Sequence, residues 1–193
     1  WPQKVAWNGK KFQYRGTFVS LTENFCSIGM EQPAGNKITG NPSSHPALSV
    51  KWVEDFPDIP LNRNEAYKLR VTSKGVEIEA ITETGVYRAI QTLRQLTEKK
   101  GNGIAITGCE ITDWPAFRIR GFMQDVGRTY ISTDELKREI AILARYKINV
   151  FHWHLTENQA WRLQSKVFPM LNDSVNTTRQ PGKYYTLEEA REL

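Results

Sequence analysis

Polar and ionisable side chains crowd into one short stretch, His152-Trp153-His154-Leu155-Thr156-Glu157-Asn158-Gln159-Ala160-Trp161-Arg162. It closes an apolar run, Lys147 to Leu155, and so falls at the C-terminal end of a strand, where α/β barrels and open parallel sheets place their sites. His152 and His154 share one strand face, because strand side chains repeat every two residues. A His-x-His pair can ligate zinc, but a third ligand at suitable spacing is missing and the remaining histidine, His45, is distant, so no metal is expected. One or both histidines then serve as hydrogen-bonded core residues, and His152, deeper in the strand, fits that role better. No cofactor is expected either.

A second group lies in Arg120-Gly121-Phe122-Met123-Gln124-Asp125-Val126-Gly127-Arg128, where Arg120, Asp125 and Arg128 are expected together at the C-terminal end of an earlier strand. An Arg on a nearly apolar strand is costly to bury without a carboxylate or a ligand, so at least one of these charges should be paired. Asp125 is the structural partner at hand. The acidic pair Asp134-Glu135, attractive as a catalytic dyad, instead occupies the first turn of a helix, where carboxylates offset the macrodipole and complete a cap. Asn172-Asp173-Ser174 and Asn176-Thr177-Thr178 match the glycosylation triplet, a pattern common by chance.

The elements that must position these groups are legible from residue 67 onward. Tyr67, Leu69 and Val71 alternate with polar residues, Lys74-Gly75 supplies a turn, and Val76, Ile78 and Ala80 alternate again, which predicts a hairpin with one wet face. Over Glu83 to Lys99 the period changes: Val86, Ala89, Ile90, Leu93 and Leu96 form a helical stripe, with Gly101 and Gly103 just past the end. Ile104-Ala105-Ile106 and Cys109 to Thr112 read as short strands, and Asp113-Trp114-Pro115 breaks the pattern at a domain boundary. Residues 1 to about 66 are rich in Pro, Gly and Asn, with runs such as Lys11 to Leu21 as edge strands between loops.

Beyond the boundary, Arg118 to Val126 and Lys147 to Leu155 lack clean alternation, as strands covered on both faces do. Between them Ser132 and Glu135 form a capping box, Ile131 staples onto Leu136, and Leu136, Ile140, Leu143 and Ala144 supply a buried stripe. The order strand, helix, strand predicts a parallel βαβ unit with a right-handed crossover. A long loop, Thr156 to Tyr185, leads to a second capped helix start at Thr186. Two parallel strands cannot bury both faces, so the expected architecture is an α+β domain over residues 1–115 followed, over 116–193, by the truncated start of a (β/α)8 TIM barrel.

Composition excludes other classes. The 193 residues carry a net charge of +5, yet Lys and Arg are scattered and no basic stripe emerges to hold nucleic acid. No segment approaches the roughly 20 apolar residues that span a bilayer. Cys26 and Cys109 fit neither a disulfide framework nor a zinc spacing. The chain starts at Trp1 without a leader, which favours processing or truncation of a longer product.

Three motifs resemble glycoside hydrolase family 20. Glu83-Thr84-Gly85-Val86-Tyr87-Arg88-Ala89-Ile90-Gln91-Thr92-Leu93-Arg94-Gln95-Leu96 looks like the helix of that family's N-terminal α/β domain; Arg118-Ile119-Arg120-Gly121 with Asp125 and Arg128 looks like barrel strand one; and Val150-Phe151-His152-Trp153-His154-Leu155 looks like strand two. The resemblance implies hydrolysis of terminal β-linked N-acetylglucosamine or N-acetylgalactosamine with retention, the substrate's own 2-acetamido oxygen serving as nucleophile. It implies a Glu acid and an orienting Asp after barrel strand four, beyond this chain, so the 193 residues hold no catalytic residue and are expected to be inactive alone. On the same resemblance Arg120 grips sugar hydroxyls, while His154 and Glu157 join the polar network beside the sugar. Glu157-Asn158 departs from the family's usual Asp-Asp, and Trp161 and Arg162 continue its pattern. The implied partner is a glycan with a terminal N-acetylhexosamine, and the implied location is secreted, periplasmic or lysosomal. A non-catalytic carbohydrate-binding module of the same fold is the alternative, and another sugar hydrolase sharing the N-terminal domain is the weaker one.

Overall fold

The computed structural model describes residues 2–16, 21–22 and 47–193, and the chain divides into two compact units, Trp1–Arg118 and Ile119–Leu193. Among the described residues no helix is long and apolar enough to cross a membrane.

The first unit is a six-stranded mixed sheet with a helix on one face. Its strands are β1 (Lys4–Tyr14), β2 (Leu48–Trp52), β3 (Tyr67–Thr72), β4 (Gly75–Ala80), β5 (Thr97–Lys100) and β6 (Gly103–Asp113). They run in the order β1-β6-β3-β4-β2, with β5 also paired to β6, and only β2 and β4 are parallel. The alternation read from the sequence sets the faces: Leu69, Val71, Val76 and Ile78 point inward, while Arg70, Glu77 and Glu79 lie outside. The inner face is covered by α1 (Glu83–Gln95), which buries Val86, Ala89, Ile90 and Leu93 and is capped by Thr82 accepting from the Gly85 N–H. Gly85 is required by packing, because a Cβ there would stand 2.5 Å from the Ala66 carbonyl oxygen.

Two expectations for this unit are corrected. The helix stops at Gln95 rather than Lys99, and Thr97–Lys100 instead pairs antiparallel with Gly103–Ile106. Exposed Thr-Glu-Lys-Lys has no apolar face to bury as a helical turn, whereas a tight hairpin with Gly101 at φ +57° gives its backbone ladder partners. Ile104–Ile106 and Cys109–Thr112 are also one continuous strand, β6. Part of the Lys11 to Leu21 run is the edge strand β1, and its residues 17–20 lie outside the described residues.

In the second unit β7 (Gly121–Asp125) and β8 (Val150–His154) pair in parallel around α2 (Thr133–Arg145). The capping box is present, with Ser132 and Glu135 bonding reciprocally, and Leu136 is fully buried with Val126 and Tyr185. One face of the pair, carrying Phe122, Phe151 and Trp153, looks toward α2, with the Phe122 and Phe151 rings stacked 6.4 Å apart. The other carries Met123, Asp125, His152 and His154; Met123 is half-exposed, so cover on both faces is not seen for these strands. The long segment after Leu155 is ordered by a two-rung hairpin of β9 (Thr156–Glu157) and β10 (Ala160–Trp161), by 3-10 turns at Pro169–Asn172 and Ser174–Asn176, and by a parallel bridge between Leu163 and Tyr185. Thr186 and Glu189 then box the start of α3 (Leu187–Glu192).

Candidate functional site

The C-terminal ends of β7 and β8 bring four polar side chains together. Asp125 and His154 are register partners on one face. Just beyond them the Val126 and Gly127 N–H groups both donate to the His154 carbonyl at 3.0 and 3.1 Å, which turns the chain across β8. Arg128 follows and lies between two carboxylates: its Nη1 donates to Asp125 Oδ2 at 2.6 Å and its Nη2 to Glu157 Oε1 at 2.9 Å. The Arg128 backbone N–H also donates to Asp125 Oδ1 at 3.0 Å. Glu157 is presented by the β9 to β10 hairpin, and its Oε2 accepts from the Asn158 N–H at 3.1 Å.

These contacts fix the electrostatics. The Arg128 N–H is the largest influence holding the Asp125 carboxyl below the usual carboxylate range; burial, next in size, opposes it, and the electrostatic effects of Arg128 and His154 add to the lowering. Asp125 is therefore an acceptor at neutral pH and not a proton donor. Arg128 remains 55% exposed while it bridges, so it keeps a solvent-facing edge with donors in a planar fork. Donors of Arg128 beside acceptors of Asp125 and Glu157 form an array suited to vicinal hydroxyls. No group of three His, Cys, Asp or Glu able to hold a metal ion occurs among the described residues, and the His152 and His154 rings meet edge-on, 5.9 Å apart.

Arg120 is not part of this array, contrary to its expected place beside Asp125 and Arg128. It precedes β7 at the N-terminal end, five residues before Asp125, or about 16 Å along an extended strand. Its backbone N–H donates to Asn149 Oδ1 at 2.9 Å, its carbonyl accepts from Asn149 and Val150, and its Nε donates to the Lys147 carbonyl at 2.7 Å. Lys147 is the left-handed residue, φ 60°, that ends α2. Arg120 thus clasps the start of the strand to the helix end. A strand of Gly121–Asp125 leaves Arg120 just before its first residue, and even a strand beginning at Arg118 would keep it near that N-terminal end, five residues short of Asp125. His154 and Glu157 stand where the sequence put them, at the carboxyl end.

Sequence reasoning missed two residues around the array. Gly127 lets β9 pass against the turn: a Cβ there would lie 3.0 Å from Glu157 Cβ and 3.1 Å from the Glu157 nitrogen. Arg162, noted only as part of a pattern, is fully buried. The signal for either was no more than a Gly and an Arg in polar segments.

Residues 27–114 match the model of glycosyl hydrolase family 20, domain 2, and residues 117–193 match that of the glycosyl hydrolase family 20 catalytic domain. A beta-hexosaminidase of Porphyromonas gingivalis is 40% identical over 176 residues, covering 84% of this chain and 21% of its own length. A beta-N-acetylhexosaminidase of Cellulomonas fimi is 36% identical over 151 residues, covering 76% of this chain and 30% of its own length. The crystal structure of beta-N-acetylhexosaminidase from Bacteroides fragilis superposes with a TM-score of 0.76 at 29% identity, over 99% of this chain and 40% of that one. The chain thus spans between about a fifth and a third of the length of these two sequence relatives. With both stretches matched in order, the chain belongs to glycosyl hydrolase family 20, carrying its domain 2 and part of its catalytic domain.

Proposed function

We propose that the polypeptide containing this chain is a β-N-acetylhexosaminidase that removes terminal β-linked N-acetylglucosamine or N-acetylgalactosamine from glycans with retention, by substrate assistance from the 2-acetamido group. In this reading residues 116–193 begin a (β/α)8 barrel after an N-terminal domain over 1–115. The observation that carries it is the array of Arg128, Asp125, Glu157 and His154 at the carboxyl end of a parallel strand pair, where barrels hold their substrates. His154 and Glu157 contact the sugar, and Arg128, rather than Arg120, offers it a guanidinium. The Glu acid and its orienting Asp lie outside these 193 residues, so the chain alone turns nothing over. Action outside the cytoplasm belongs to the same proposal, on family resemblance alone.

The test is release of p-nitrophenol from p-nitrophenyl N-acetyl-β-D-glucosaminide, by this chain and by the full-length polypeptide containing it. Activity confined to the longer protein supports the reading. Activity in the 193-residue chain overturns the claim that its acid lies elsewhere, and silence in both points to a carbohydrate-binding module.

A further inference from the structure

Arg162 is a cation in the wrong surroundings for a cation. Its side chain has no exposure to solvent, and no carboxylate among the described residues lies within ion-pair distance of it. Every donor it uses goes to a backbone carbonyl: Nε to Val126 at 3.0 Å, Nη1 to Gln180 at 3.1 Å and Lys183 at 2.7 Å, Nη2 to Gly127 at 3.4 Å and Arg179 at 2.7 Å. Burial lowers its pKa from the ordinary guanidine value, with the Tyr185 and Tyr130 phenols acting the other way. A buried guanidinium is held here by carbonyl dipoles alone, an arrangement whose desolvation cost a neutral side chain would avoid. Its five bonds instead join two segments distant in sequence, the Val126-Gly127 turn and the 179–183 loop.

The turn it grips is the one that carries the array. Val126 and Gly127 donate their N–H groups to His154 and give their carbonyls to Arg162, so both sides of this turn are bonded and Arg128 is the next residue. The Arg162 backbone continues the same scaffold, its N–H donating to Leu155 at 2.9 Å and its carbonyl accepting from Tyr185 at 2.7 Å. We infer that Arg162 is a positioning residue for sugar binding: without touching substrate, it fixes the Val126-Gly127 turn and so the reach of the Arg128 fork between Asp125 and Glu157. The inference rests on the reading of that array as the sugar site. Only a planar fork can serve several carbonyls at fixed angles, so lysine is not an equivalent.

The experiment uses the full-length polypeptide with three substitutions: R162K, G127A, which displaces the same turn from its Glu157 side while leaving Arg162 intact, and S132A, which removes the cap of α2 elsewhere in the unit. For R162K and G127A, KM for p-nitrophenyl N-acetyl-β-D-glucosaminide rises about tenfold or more with a smaller change in kcat, since displacement of a binding group by a fraction of an ångström weakens its contacts steeply. For S132A the melting temperature falls and KM does not move. Amide hydrogen exchange at residues 126–128 accelerates in R162K but not in S132A, a readout independent of turnover. If R162K does not fold, G127A still has to raise KM. Unchanged KM and unchanged exchange at 126–128 in a folded R162K overturn the inference. Absence of hydrolysis by the unsubstituted full-length protein instead overturns the reading of the site, and accelerated exchange in R162K would still show Arg162 holding the turn.

Discussion

Replacing Arg128 with alanine separates a structural role from a ligand-binding one, because the two predict opposite balances of stability and activity. The side chain is 55% exposed, and its partners Asp125 and Glu157 are 17% and 25% exposed. Ion pairs so placed are screened and contribute about 0 to 1 kcal/mol each to folding. The melting temperature should therefore fall by only a few degrees. A guanidinium donating two charge-assisted hydrogen bonds to sugar hydroxyls contributes about 1.5 to 3 kcal/mol for each bond. Loss of both, discounted for non-additivity to about 3 to 4 kcal/mol, lowers kcat/KM by roughly 10² to 10³ at 1.4 kcal/mol per decade. The assay is p-nitrophenol release by the full-length polypeptide, with thermal melts run in parallel. Arg120→Ala is the counterpart: it breaks the clasp to Lys147 and should lower stability while leaving KM within about twofold. A loss below tenfold for Arg128→Ala, or a KM effect as large in a fully folded Arg120→Ala protein, would refute the assignment.

Leu136→Ala, at a fully buried position against Val126 and Tyr185, should destabilise the second unit by about 2 to 5 kcal/mol in denaturant melts, and a loss under 1 kcal/mol would mean that the site collapses around the deletion. Because Asp125 has a folded pKa below its unfolded one, its contribution to stability is full above the unfolded value near pH 4 and is lost as pH falls through the folded value. The melting difference between wild type and Asp125→Asn should hold from pH 7 to 5 and shrink on further acidification; a difference constant down to pH 2 contradicts it. Burial pushes the Cys109 thiol up to about 11, so iodoacetamide at pH 8 should leave it unlabelled in the native protein and modify it after denaturation, as peptide mapping would show.

The sequence disclosed what periodicity and capping chemistry encode. Alternation over Tyr67 to Ala80 yields the β3 to β4 hairpin because the inward residues have a helix to meet, and Ser132 with Glu135 marks the start of α2 because both ends of a capping box are local. Element ends were less legible. Whether Thr97–Lys100 ends a helix or starts a strand depends on pairing across the Gly101 turn with β6, a strand held in place by the distant β1 and β3, which local propensity does not report. In the second unit, grouping Arg120 with Asp125 and Arg128 by closeness in sequence overlooks the length of the strand, which sets Arg120 and Asp125 at opposite ends. All four residues of the array, Asp125, Arg128, His154 and Glu157, are nevertheless legible at strand ends, since polar groups that close an apolar strand sit at its carboxyl end.

Arg162 shows why the support beneath the array is not legible in the sequence. A side chain that contacts substrate advertises itself by its type and its place beside other polar groups, whereas one that bonds five carbonyls from two segments acts through backbone, and backbone carbonyls look the same in every sequence. The division of labour follows from solvent access. Arg128, Asp125 and Glu157 are partly exposed, as the proposed exchange of water for sugar hydroxyls requires, and such groups cannot hold their own geometry through screened ion pairs alone. Their rigidity has to come from beneath, from bonds that water does not compete for. The Val126-Gly127 turn, fixed on one side by the His154 carbonyl and on the other by a buried guanidinium, supplies it.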